Sequence, residues 1–102
     1  MPEKPKTLRG YDQPIQDAHA RVFAVLHRDT PTTNTEWIAY YRDLIAARED
    51  LRDLYDQAGR VARPVGGAVW HAFDDATAYQ DTRIQDAQVR INRLLRTQPK
   101  ES

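Results

Sequence analysis

Arg60-Val61-Ala62-Arg63-Pro64-Val65-Gly66-Gly67 separates two long runs that contain neither proline nor glycine, and its reading decides the fold. Pro64 fixes its own φ and lacks an N–H donor, while the glycine pair supplies backbone freedom, so the chain must turn here. Upstream, apolar residues recur as Trp37, Tyr41, Leu44, Leu51, Tyr55 and Ala58, with Arg48 in the one missing place. Downstream the series is Trp70, Phe73, Thr77, Gln80, Ile84, Ala87, Ile91 and Leu94. Both series alternate steps of four and three, the spacing that keeps one side of a helix against a partner helix.

Folding the chain back at Pro64 pairs the two seams layer by layer. Trp37 meets Ile91, Tyr41 meets Ala87 and Leu44 meets Ile84. The series continues as Arg48 with Gln80, Leu51 with Thr77, Tyr55 with Phe73 and Ala58 with Trp70. Large residues face small ones at both ends, which is how a close-packed seam fills its space. Both polar interruptions fall in central layers. The spacing therefore predicts an all-α fold: a three-helix arrangement dominated by a long antiparallel helical hairpin. At 1.5 Å per residue its arms are roughly 36–45 Å long.

The helix ends carry their own signals. Thr33-Asn34-Thr35-Glu36 is a capping box, in which the threonine hydroxyl accepts from the Glu36 N–H and the carboxylate reaches back. Gly59 reads as a left-handed terminator, which bounds that helix at about 34–58. The last helix is expected over about 68–97, with Asp74-Asp75 the one place where a break could start a new cap. A first helix, about 13–28, is capped by Asp12 with Pro14 in its first turn and carries the stripe Ile15, His19, Val22 and Leu26. Asp29-Thr30-Pro31 ends it, because the residue before a proline is pushed out of the helical region. Residues 1–11, with Pro2 and Pro5, read as a mobile tail and 99–102 as a second one, which leaves 12–98 as a single domain.

Composition narrows the function. The chain has 102 residues, with 15 basic side chains balancing 15 acidic ones, so no positive excess points to nucleic acid or an anionic membrane. It has no cysteine, which excludes disulfides, thiol catalysis and thiolate zinc sites. No stretch approaches the ~18 apolar residues of a membrane span, and the polar start lacks the apolar core of a signal peptide. A cytoplasmic protein without membrane contact is the expectation.

Three sets of residues could carry chemistry. Arg48, Thr77 and Gln80 interrupt the seam, and three readings of them stand side by side. They could lock the register, they could form a small pocket for a carboxylate or phosphate, or Arg48 could pack its stem and extend its head to water. Near the turn, His71, Asp74 and Asp75 occupy neighbouring helical positions and the facing helix supplies Asp50 and Asp53, the raw material of a bundle metal site. Most of these lie beside the seam rather than in it, and no repeated Glu-x-x-His unit is present, so a solvated acidic face is the plainer reading. Arg83, Arg90, Arg93 and Arg96 crowd the end of the last helix, where they complement the helix dipole or could contact nucleic acid. His19 sits in the stripe of the first helix with no acidic neighbour to orient it, as a core-edge residue.

Ile38, Tyr40, Ile45, Tyr79 and Val89 lie off the seam, and the short first helix covers only about half of the hairpin. A second copy, completing a bundle across a two-fold axis, would cover the remainder. The expectation is thus a non-catalytic protein–protein interaction, regulatory or assembly protein acting as a homodimer, with no cofactor and a further protein partner whose identity the sequence does not specify. Two alternatives come from other classes: a metal- or phosphate-dependent small enzyme with its site near the turn, and an accessory nucleic-acid binder using the arginine-rich end.

Overall fold

The computed structural model describes residues 6–97. A 3-10 turn over Leu8–Tyr11 leads into α1, Asp12–Leu26; α2 follows as Asn34–Ala62 and α3 as Gly67–Thr97. Helices α2 and α3 pack closely and run antiparallel, with Trp37 near Leu94, Arg48 on Gln80 and Tyr55 on Phe73. Its arms make the molecule a rod of 58 × 24 × 23 Å. No helix among the described residues is long and apolar enough to cross a membrane.

Two of the seven predicted layers are seen directly, whereas Leu44 and Leu51 pack in a core shared with α1. Arg48 bonds to Gln80, and the Tyr55 and Phe73 rings lie 6.3 Å apart. Beside the seam, Arg52 of α2 pairs with Asp81 of α3 at 3.1 Å. Ala87 and Ile91 are buried, each about 3% exposed. Helix α3 runs unbroken through Asp74 and Asp75. Both aspartates are exposed there and neither starts a new helix.

The cap at the start of α2 forms with one adjustment. The Glu36 N–H donates to Thr33 Oγ1 at 3.1 Å, but the Glu36 carboxylate reaches past Thr33 to the N–H and hydroxyl of Thr32, both at 3.1 Å. The Thr32 N–H, followed by its hydroxyl, holds the carboxyl below its ordinary range. The box is therefore one residue longer than the spacing predicts.

The end of α2 departs further from expectation. Gly59 does not terminate it; the helix continues to Ala62, and a Cβ built on Gly59 would stand 3.2 Å from Phe73 Cβ. Gly59 is there for close approach of α3. The left-handed residues come later, as Gly66 with φ 75° and Gly67 with φ 72°. The Ala62 carbonyl accepts from the N–H groups of Val65 and Gly66, which closes the turn. Nothing lies within 4 Å of a Cβ added at Gly66, so a substitution there meets only backbone strain. Gly66→Ala is expected to cost about 1–2 kcal/mol, the penalty of the left-handed conformation for a residue with a Cβ. Urea unfolding should show a lower midpoint with an unchanged slope.

The amino-terminal segment also corrects the sequence reading. Leu8–Tyr11 is ordered, its turn capped by Thr7, whose hydroxyl accepts from the Gly10 N–H at 3.3 Å. Tyr11 is 2% exposed, and the turn packs on α2 as well as on α1. Asp12 is the first residue of α1 and not its cap, and the helix ends at Leu26 rather than near 28. Residues 1–5 of the tail expected over 1–11, and the tail expected over 99–102, lie outside the described residues.

Helix α1 lies against α2 and not against α3. The contact is a compact core of Ala18, Val22 and Val25 with Leu44, Ala47 and Leu51, and Arg28 ties its end to Asp43 at 2.8 Å. The first and last helices are thus both carried by α2, on different sides of it.

Candidate functional site

Arg48 and Gln80 reach each other because the two heptad seams place them in the same layer. Arg48 Nη1 donates to Gln80 Oε1 at 2.9 Å, with the residues 9% and 4% exposed respectively. Arg48 Nε is buried and has no partner. Burial depresses the guanidinium pKa, and the nearby Tyr79 and Tyr40 only partly offset it. No ion pair to Arg48 exists among the described residues. Its stem and Nε are covered, while Nη2 takes part in no hydrogen bond among the described residues. Thr77 stands apart from the layer: its hydroxyl donates to the Phe73 carbonyl of its own helix at 2.9 Å.

The acidic residues near the turn do not converge. His71, Asp50, Asp53, Asp74 and Asp75 are all exposed. Asp53 is bonded to Arg52, and Asp74 edges a recess of about 210 Å³ whose walls include Arg63 and Trp70. Among the described residues no group of three or more histidine, aspartate or glutamate side chains is gathered to hold a metal ion. Helical adjacency of His71, Asp74 and Asp75 is real, but adjacent exposed positions point outward in a fan, and the facing carboxylates of α2 do not join them.

At the open end of the hairpin the four arginines divide. Arg83 Nε donates to the Tyr79 hydroxyl at 3.1 Å, with its guanidinium 5.2 Å from the ring centre. Arg90 and Arg93 edge a recess of about 200 Å³ with Trp37, Tyr41 and Leu94. Arg96 is exposed in the last turn of α3.

The residues expected to form a partner surface divide as well. Ile38 is only 6% exposed and belongs to the interior, a correction to the sequence reading. Ile45 and Tyr40 are half-buried. Tyr79 and Val89 are open to solvent at 51% and 52%. Phe23 and Leu26 of α1 are also exposed, with Phe23 stacked on His27 at 3.7 Å.

One contact escaped the sequence reading. His19 Nε2 and the Tyr55 hydroxyl share a hydrogen bond, and Tyr55 also meets Phe73, so one tyrosine side chain touches both neighbouring helices. Burial pushes the Tyr55 pKa up. The antiparallel register that joins Arg28 to Asp43 also brings His19 to Tyr55. That register could have been found by sliding the α1 stripe along α2 until opposite charges met.

Comparison with known proteins finds no matching family model, no matching curated sequence and no matching solved structure. Function must therefore be argued from the faces of these three helices alone.

Proposed function

We propose that the chain is a non-catalytic interaction protein that works as a homodimeric helical bundle. The observation that carries this reading is the one-sided placement of α1: it covers a flank of α2 and leaves α3 supported on one side only. A helix of 31 residues held along a single seam keeps a long face open, and Tyr79 and Val89 stand on that face. Small helical domains bury a modest share of their surface, and a second copy is the simplest way to cover such a face. The zero net charge favours self-association over the long-range repulsion that keeps strongly charged domains apart.

Sedimentation velocity across about 1–100 µM is expected to show a species of twice 11.8 kDa. A single monomer boundary over that range rejects the reading.

A further inference from the structure

Resting on the homodimer reading, we propose that two copies meet antiparallel through the outer face of α3, about a two-fold axis level with Ile84. In this arrangement Asp75 of each copy lies against Arg93 of the other.

The outer face carries a second heptad stripe, whose helical positions lie opposite the seam that faces α2; at its end the Arg93 side chain also borders the recess beside Trp37 and Tyr41. Asp75, Tyr79, Thr82, Asp86, Val89 and Arg93 follow steps of four and three, and all six are exposed. Neither Asp75 nor Arg93 takes part in an ion pair among the described residues. Reversed and laid on itself about Ile84, the stripe matches its own chemistry. Asp75 meets the partner's Arg93, Tyr79 meets the partner's Val89, and Thr82 meets the partner's Asp86. Opposite charges thus flank the two open apolar side chains, and each contact occurs twice by symmetry.

Neighbouring registers fail this test. A slip one way sets Asp75 against the partner's Asp86, two carboxylates face to face. A slip the other way leaves Asp86 against the partner's Val89. The wider charge pattern points to the same pairing. From Gly67 to Thr82 the only formal charges on α3 are Asp74, Asp75 and Asp81, whereas Arg83, Arg90, Arg93 and Arg96 dominate the remainder. An antiparallel partner therefore brings an acidic half against a basic half at both ends. A parallel one would set like against like. Because these charges are at the surface, the association weakens as salt rises.

The full chain tests this by sedimentation equilibrium. Asp75→Arg alone and Arg93→Asp alone should each weaken self-association about ten-fold, since attraction turns to repulsion at two symmetric contacts. An equimolar mixture of the two variants should associate at least as tightly as the unaltered protein. In the mixed pair every altered position meets an opposite charge. Circular dichroism should be unchanged in both, because the positions are exposed. Dissociation constants within about two-fold of the unaltered chain, or a mixture no tighter than its components, overturn this interface while leaving the dimer intact. An unaltered chain that stays monomeric overturns the dimer itself.

Discussion

Leu51→Asp is expected to abolish the fold: at 25 °C the helical signal at 222 nm should fall to that of an unfolded chain. Leu51 is 1% exposed and is the largest fully buried side chain among the described residues. It packs in the core that joins α1 to α2, with Ala18, Val22 and Val25 on one side and Leu44 and Ala47 on its own helix. Losing the leucine there costs about 3 kcal/mol in transfer and cavity terms. A carboxylate in its place adds the cost of desolvating a charge, which Arg48 one turn earlier on α2 only partly offsets. A domain of this size has about 5–15 kcal/mol in total, so the sum takes most or all of it. Val89→Asp is the matched control. Val89 is 52% exposed, and the same substitution there should change the stability of the monomer by less than about 0.5 kcal/mol. A Leu51→Asp protein that melts cooperatively within about 1 kcal/mol of the parent would contradict the described core.

The second large effect lies in the polar layer, and its two members should respond in opposite directions. Gln80→Leu is expected to destabilise by about 3 kcal/mol. It removes the one acceptor of Arg48 Nη1 beside an Nε that already has none, and so leaves a charge buried without a partner. Arg48→Leu removes the charge, the orphan donor and the desolvation that depresses its pKa. Its stability should equal or exceed that of the parent by up to about 1 kcal/mol. The double variant should then be more stable than Gln80→Leu alone, a coupling of about 2 kcal/mol in a double-mutant cycle read by urea unfolding. Additive losses would mean that the layer is ordinary packing. A buried polar pair that lowers stability is kept, on this account, because a slipped hairpin would set Arg48 against an apolar neighbour such as Ile84 or Phe73.

The hairpin was legible because its determinants are local and periodic. Thr33 and Glu36, the two heptad series and the Pro64–Gly67 turn each act over a few residues, and the Arg48–Gln80 layer follows from matching them. The misreadings share a physical origin: one residue type serves two purposes. Gly59 could end a helix or admit a close neighbour, and only the position of Phe73 decides between them. Tyr11 sits in a polar, proline-bearing segment whose composition predicts mobility, yet its ring is buried and the turn that carries it packs on α1 and α2. Ile38 looked spare because seam assignments treat a helix as having one narrow buried line, whereas α2 is covered on two sides. The solvated acidic face near the turn rests on a plainer point: adjacency along a helix brings side chains near one another without aiming them at a common point, and Asp53 pairs with Arg52.

The attachment of α1 through α2 alone also sets the order in which the molecule opens. Peeling α1 away breaks its interface with α2, including the Arg28–Asp43 and His19–Tyr55 bonds, and severs no contact between α2 and α3. Parting α3 from α2 instead dissolves the Gln80 layer and the longest contact in the chain. The first helix is thus the edge of the rod at which opening begins, and because Leu44 and Leu51 lose their cover in that step the hairpin left behind is the weaker for it.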